Sequence, residues 1–160
     1  RDAATRNYRD NRHKPELLVA LGDFYALCGF RPPAEIAQTL AETPELAPLA
    51  GRALQSADDL AALYRHIMHL DQLGVSALLD PLVERLEHEA RQRPFTQADR
   101  DYWLLHAHRA FSTPGRAERG LLSMLLLNLV HLRAGQAVFL SAGELHAYLR
   151  GTGIEIMANS

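Results

Sequence analysis

Glu16 opens an apolar run, Glu16-Leu17-Leu18-Val19-Ala20-Leu21, and His146 follows a glycine turn in Gly143-Glu144-Leu145-His146. A carboxylate and an imidazole are donor types that hold zinc or iron once a third ligand joins them. If residues 144–148 are extended, alternate side chains share a face, and Glu144, His146 and Tyr148 are expected to point the same way. The same residues also fit a plainer description, with Glu144 as a turn residue and His146 as an ordinary strand histidine. Nothing local links Glu16 to His146, which stand 130 residues apart.

The other histidines offer less. His106 and His108 are two apart, which on a helix sets them on nearly opposite faces. His66 and His69 are three apart but flank an apolar stripe, which reads as the polar shoulder of a packed helix. Glu84 and His88 read as a surface pair. Cys28 lies in an apolar stretch and reads as inert core. There is no Gly-x-Ser-x-Gly elbow and no glycine-rich phosphate loop. Lys14 is the one lysine beside 16 arginines, next to His13 and close to Glu16. In a chain that uses Arg wherever charge alone is needed, a retained Lys points to a need for an ammonium group.

The elements that must position these groups fall into two kinds. Leu and Ala total 28 and 24, against 9 for Val plus Ile, which favours helix. Pro32-Pro33 starts a helix through Ile36 and Leu40 that ends at Thr43-Pro44. Ser56-Ala57-Asp58-Asp59 is an N-cap before the stripe Leu60, Leu63, Tyr64, Ile67 and Leu70. A second stripe runs from Val75 to Ala90, with Pro81 predicting a kink or two abutting helices. Thr96-Gln97-Ala98-Asp99 repeats the cap pattern, and Ser112-Thr113-Pro114-Gly115 breaks the helical region. Both ends read as strands: Glu16–Leu21 and Phe24–Leu27 around Gly22-Asp23, then Leu125–Leu132, Ala137–Leu140, His146–Leu149 and Ile154–Ile156, separated by glycine turns. The fold class is therefore α+β, a mainly helical domain inserted between antiparallel strands of a sandwich or barrel, with segments 1–31, 32–115 and 116–160.

Composition limits the duties of such a chain. Its 160 residues carry a net charge of −2, which argues against nucleic acid or an anionic membrane as main partner. One cysteine excludes an internal disulfide. No apolar run reaches the ~20 residues of a membrane span, no secretory h-region is visible, and a cytoplasmic location is expected. Residue 1 is Arg rather than Met, so an internal fragment is expected.

Three segments carry a resemblance to one family. Tyr8-Arg9-Asp10-Asn11-Arg12-His13-Lys14-Pro15-Glu16 resembles the Tyr-x-Asp-x-Asn-His-Lys-Pro-Glu signature of type I mannose-6-phosphate isomerases. Leu126-Leu127-Asn128, running on to Ala134-Gly135-Gln136-Ala137, resembles their Leu-Leu-Asn-x-x-x-Leu-x-Pro-Gly-Glu-Ala strand and turn. Gly143-Glu144-Leu145-His146-Ala147-Tyr148-Leu149 and Glu155-Ile156-Met157-Ala158-Asn159-Ser160 resemble their Gly-Glu-Pro-His-Ala-Tyr-Leu and Glu-x-Met-Ala-Asn-Ser. Arg12, Ala134 and Leu145 depart from the pattern.

The resemblance implies a cupin (jelly-roll) fold with an inserted helical domain, and a zinc-dependent isomerase interconverting mannose 6-phosphate and fructose 6-phosphate through a cis-enediol. It implies Glu16 and His146 as zinc ligands, His13 and Lys14 as catalytic groups in proton handling, and Tyr148, Glu155 and Asn159 as pocket-lining residues. The family's remaining ligands come from a Gln-x-His motif, which does not occur in these 160 residues. The fragment alone is therefore expected to be inactive and to self-associate through exposed strand edges. A non-catalytic metal- or sugar-binding cupin and a helical interaction module are the alternatives.

Overall fold

The structure is a computed structural model that describes residues 15–50 and 54–157. Two strands, β1 (Glu16–Ala20) and β2 (Phe24–Phe30), are followed by α1 (Pro33–Glu42), α2 (Ala47–Ala50), α3 (Ala57–His69), α4 (Gln72–Gln92), α5 (Arg100–Phe111) and α6 (Ser123–Leu126). Strands β3 (Leu127–Leu132), β4 (Ala137–Leu140), β5 (His146–Arg150) and β6 (Gly153–Met157) complete the order. The α+β class expected from composition is the class observed. The chain forms two compact units, one of residues up to Gly29 together with those from Leu129, the other Phe30–Asn128.

The first unit holds two three-stranded sheets, ordered β4-β1-β6 and β3-β2-β5. Strand β1 is antiparallel to both neighbours, with Glu16 opposite Leu140 and Met157, and Leu18 opposite Val138 and Glu155. Chain-adjacent strands mostly change sheet: β4, β5 and β6 alternate, so their glycine turns are corners between sheets and not hairpins within one. Alternation along each strand sends one set of side chains inward. Leu18, Ala20, Phe24, Ala26, Cys28, Leu132 and Leu140 form that core, with Val130 and Val138 packed against it.

In the second unit the cap signals hold at Ser56. Its hydroxyl accepts from Asp59 N–H at 3.2 Å, and the Asp59 carboxylate accepts from Ser56 N–H at 2.9 Å, the reciprocal box that satisfies two orphan donors. The stripes bury Leu60, Leu63 and Ile67 of α3 and Val75, Leu79, Leu82 and Leu86 of α4.

Three local expectations are settled or corrected. First, of the two outcomes open at Pro81, the pair of abutting helices is excluded: α4 runs through it as one helix. Second, Thr96 is not the cap of α5. Helix begins at Arg100, and the Asp99 carboxylate instead accepts from Thr96 N–H at 2.7 Å, closing a turn one step earlier. Third, Leu125 and Leu126 are not strand. They end the short helix α6, whose carbonyls find distant donors: Arg100 donates to Met124 O at 2.7 Å and, just past the helix, to Leu127 O at 2.8 Å, and Arg31 to Leu125 O at 3.1 Å. Those guanidinium groups satisfy the acceptors that a helix C-terminus leaves open.

One ion pair ties the turn before α2 to α4. Arg85 donates to both carboxylate oxygens of Glu45, at 2.6 and 3.1 Å, and to Glu89 at 2.7 Å. The hydrogen bond from Arg85 holds the Glu45 carboxyl below its usual range. A depressed carboxylate pKa adds stability above the unfolded-state value near ~4.3 and loses it as pH falls through the folded value. Glu45→Gln is therefore expected to cost about 1–2 kcal/mol at neutral pH, discounted for the solvent-facing Arg85. Urea unfolding as a function of pH should show the difference from the parent constant above pH ~5 and shrinking in more acid solution.

Candidate metal centre

Glu16 is the first residue of β1, His146 the first of β5, and Glu155 the middle residue of β6. They come from both sheets, and Glu155 is opposite Leu18, so it shares the inward face with Glu16. One donor atom from each of the three lies within 4.8 Å of the others, the one such group among the described residues. The Glu16 carboxylate is 3.2 Å from His146 Nε2, with side-chain exposures of 18% and 27%.

The imidazole is oriented from behind. His146 Nδ1 is 2.9 Å from the carbonyl oxygen of Glu144. A carbonyl only accepts, so Nδ1 carries a proton, and the ring turns Nε2 toward the Glu16 carboxylate. A backbone acceptor behind a ligating histidine is the common support that fixes tautomer and ring angle. Glu144 itself is a turn residue, as in the plainer of the two sequence readings, and does not share a strand face with His146 and Tyr148. Its N–H donates to Ser141 O and its carboxylate accepts from Ser141 N–H, both at 3.0 Å. Strand geometry starts only at His146.

Tyr148 donates its hydroxyl to Glu155 at 2.5 Å and meets Phe24 edge-on at 5.4 Å. Burial and that carboxylate raise the phenol's pKa, keeping it protonated and a donor. An open cavity of about 480 Å³ adjoins these groups, lined by Leu18, Phe24, Tyr148, Arg150, Thr152 and Glu155 among others. Cys28 faces His146 across the β2–β5 register, but burial, with the nearby Glu144 charge, pushes its thiol up to about 11. It stays a neutral thiol, in keeping with its reading as core.

The structure thus brings Glu16, His146, Tyr148 and Glu155 together. His13, Lys14 and Asn159 lie outside the described residues. Sequence reasoning placed Glu155 in the pocket but not among the donors; the missing signal was its alternation with Gly153 and Met157 on the face shared with Glu16. Several other histidines are engaged elsewhere. His69 Nδ1 donates to Arg65 O, Gln92 donates to His88, and His106 stacks on Tyr102. Two carboxylates and one imidazole form an oxygen–nitrogen set that fits zinc.

Comparison with known proteins gives a consistent relationship. The family model for the catalytic domain of type I phosphomannose isomerase matches residues 1–33. The mannose-6-phosphate isomerase of Escherichia coli is 36% identical over 161 residues, covering 99% of this chain and 38% of the relative. The Homo sapiens enzyme is 34% identical over 170 residues, covering 98% and 39%. Among solved structures, a mutant phosphomannose isomerase from Salmonella typhimurium superposes with a TM-score of 0.71 at 31% identity, over 99% of this chain and 38% of that one. A zinc-bound mannose 6-phosphate isomerase gives 0.70 at 30% identity, over 98% and 38%. The chain spans about two fifths of the length of the curated relatives it matches. Among the described residues, no helix is long and apolar enough to cross a membrane.

The turn behind His146 depends on Gly29. This residue has φ +60, donates to Leu145 O at 2.8 Å, and a β-carbon on it would lie 2.6 Å from the Glu144 carboxylate. Gly29→Ala should cost about 1–2 kcal/mol in urea unfolding. Adding Glu144→Ala should recover the part due to the clash and leave the part due to φ.

Proposed function

We propose, from the premise that this chain is homologous to one stretch of the type I phosphomannose isomerases, that it supplies part of the active centre of a mannose 6-phosphate/fructose 6-phosphate isomerase. The observation that carries the reading is the convergence of Glu16, His146 and Glu155 from two sheets, with the histidine ring held from behind so that Nε2 faces the group. Glu16 and His146 would hold zinc, with Glu155 beside them. When bound, zinc acts as a Lewis acid toward sugar oxygens.

The chain's own residues account for the rest of the chemistry. Aldose–ketose exchange through a cis-enediol moves one proton between adjacent carbons and needs a group that can take and return it. His13 and Lys14 are the residues proposed for that transfer. Tyr148 fixes Glu155 by its hydroxyl bond, and Asn159 completes the pocket in this reading. The substrate is a sugar phosphate, and a cytoplasmic setting suits it. The outer edges of both sheets have no strand partner among the described residues, which favours self-association.

Metal titration tests the centre directly. The 160-residue chain should bind Zn²⁺ by calorimetry and give a Co²⁺ visible spectrum. His146→Ala and Glu16→Gln should each weaken binding at least about tenfold, with folding unchanged by circular dichroism. Binding unaffected by both substitutions would remove the reading. The 160-residue chain by itself should not turn over mannose 6-phosphate, since the Gln-x-His pair that the resemblance calls for is not in its sequence. Exchanging these residues for the corresponding stretch of the Escherichia coli enzyme should restore turnover. A folded, zinc-loaded chimera without activity would overturn the isomerase assignment.

A further inference from the structure

Two pairs of side chains meet between the sheets on one plan. On β5, His146 and Tyr148 are alternate residues, so they share a face, and their rings lie 5.6 Å apart. On the other sheet, Glu16 is opposite Met157 and Glu155 is opposite Leu18, which makes the two carboxylates diagonal neighbours on β1 and β6. Glu16 meets His146 at 3.2 Å, and Glu155 accepts from the Tyr148 hydroxyl at 2.5 Å. Each carboxylate thus has its own partner. One partner is a ligand type; the other is a proton donor.

The two pairs differ in what they are ready to do. Glu16 and His146 already stand near the ~3.3 Å that two ligands keep around a tetrahedral zinc. Glu155 brings a donor atom within 4.8 Å of both, so it lies one side-chain swing from joining them. Its oxygen is instead taken by the phenol, at the short end of the charge-assisted O–H···O⁻ range, the strong class of hydrogen bond. Tyr148 stands two residues beyond His146, ~6.7 Å farther along the strand, so the bond draws the carboxylate away from the Glu16–His146 end. The ring is held for that task. Phe24 meets it edge-on at 5.4 Å, and Phe24 is itself buried beneath Gly151, where a β-carbon would collide with its ring.

We propose that Tyr148 is a positioning residue that withholds Glu155 from the metal, leaving Glu16 and His146 as this chain's ligands and Glu155 as a charged carboxylate beside them, free to accept from a sugar hydroxyl. The inference rests on the reading of Glu16 and His146 as zinc ligands. Its physical sense lies in charge. Two carboxylates on one divalent ion cancel its charge, whereas a single carboxylate leaves a net positive centre that polarises a sugar oxygen.

Zn²⁺ calorimetry and the Co²⁺ visible spectrum of four chains test it: the parent, Tyr148→Phe, Glu155→Gln and the double variant. Phe keeps the ring and its packing and removes only the hydroxyl, so circular dichroism should not change. Tyr148→Phe should bind Zn²⁺ about tenfold more tightly and shift the Co²⁺ bands, as the released carboxylate adds an oxygen to the ion. In the Glu155→Gln background the same substitution should alter neither, which assigns the effect to the pair. Weaker binding by Tyr148→Phe would make Glu155 a ligand that Tyr148 supports, and overturns the proposal. An effect that persists without Glu155 overturns it as well. A parent that binds Zn²⁺ while Tyr148→Phe changes neither affinity nor bands overturns this proposal alone and leaves the metal reading standing. A parent that binds no Zn²⁺ removes the metal reading and this one with it.

Discussion

A single hydrogen bond, from His146 Nδ1 to the carbonyl of Glu144, sets the chemistry of the inner face. It decides which ring nitrogen the backbone holds and where the other, Nε2, points. Everything behind it serves the same end. The Ser141–Glu144 turn closes on itself through both the backbone and the side chain of Glu144, with Gly143 at φ +80. Gly29 of β2 bonds to the next residue, Leu145, and its missing side chain leaves room for the Glu144 carboxylate. The turn is thus anchored to a strand of the same sheet before β5 begins, so the imidazole's position does not depend on the mobility of a free loop.

Sheet switching explains how residues so far apart in sequence meet. Glu16 stands on one sheet and His146 on the other, facing across the interior. Had β4, β5 and β6 formed a simple meander, His146 and Glu155 would lie in one sheet and Glu16 would need a second layer to reach them. Because β5 and β6 fall in different sheets and β6 pairs with β1, the turn at Gly151–Gly153 carries Glu155 back beside Glu16 while leaving His146 opposite.

Much of this was legible in local sequence. Ser56 and Asp59 announce their cap because both partners lie within one turn, and the strands announce themselves by glycine spacing. Glu16 and His146 were identifiable as donors, though only a resemblance linked them. What local pattern could not show were partners supplied from a distance. Leu125-Leu126 reads as strand because nothing nearby reveals that Arg31 and Arg100 satisfy helical carbonyls there. Thr96 and Asp99 form a good cap by spacing, but their bonds close a turn that precedes the helix. Glu155 looked like one more pocket residue, since its place among the donors depends on β6 pairing with β1, a choice of partner that no strand states about itself.

The strands of the β4-β1-β6 sheet are ELLVA, AVFL and GIEIM, in which Glu16 and Glu155 are the only charged residues. Glu16 is partly buried and Glu155 stands at the exposed mouth of the same face, and a partly buried carboxylate costs desolvation unless it is matched. Here both are matched, Glu16 by His146 and Glu155 by Tyr148. The partners are not salt-bridge cations of the kind the chain has in plenty: its 16 arginines supply guanidinium groups that would neutralise a carboxylate permanently. An imidazole and a phenol hold the carboxylates in place while leaving their charge available. A sheet built mainly for stability has no reason to set two carboxylates side by side on its inward register and refuse them arginine. One built to receive a cation does.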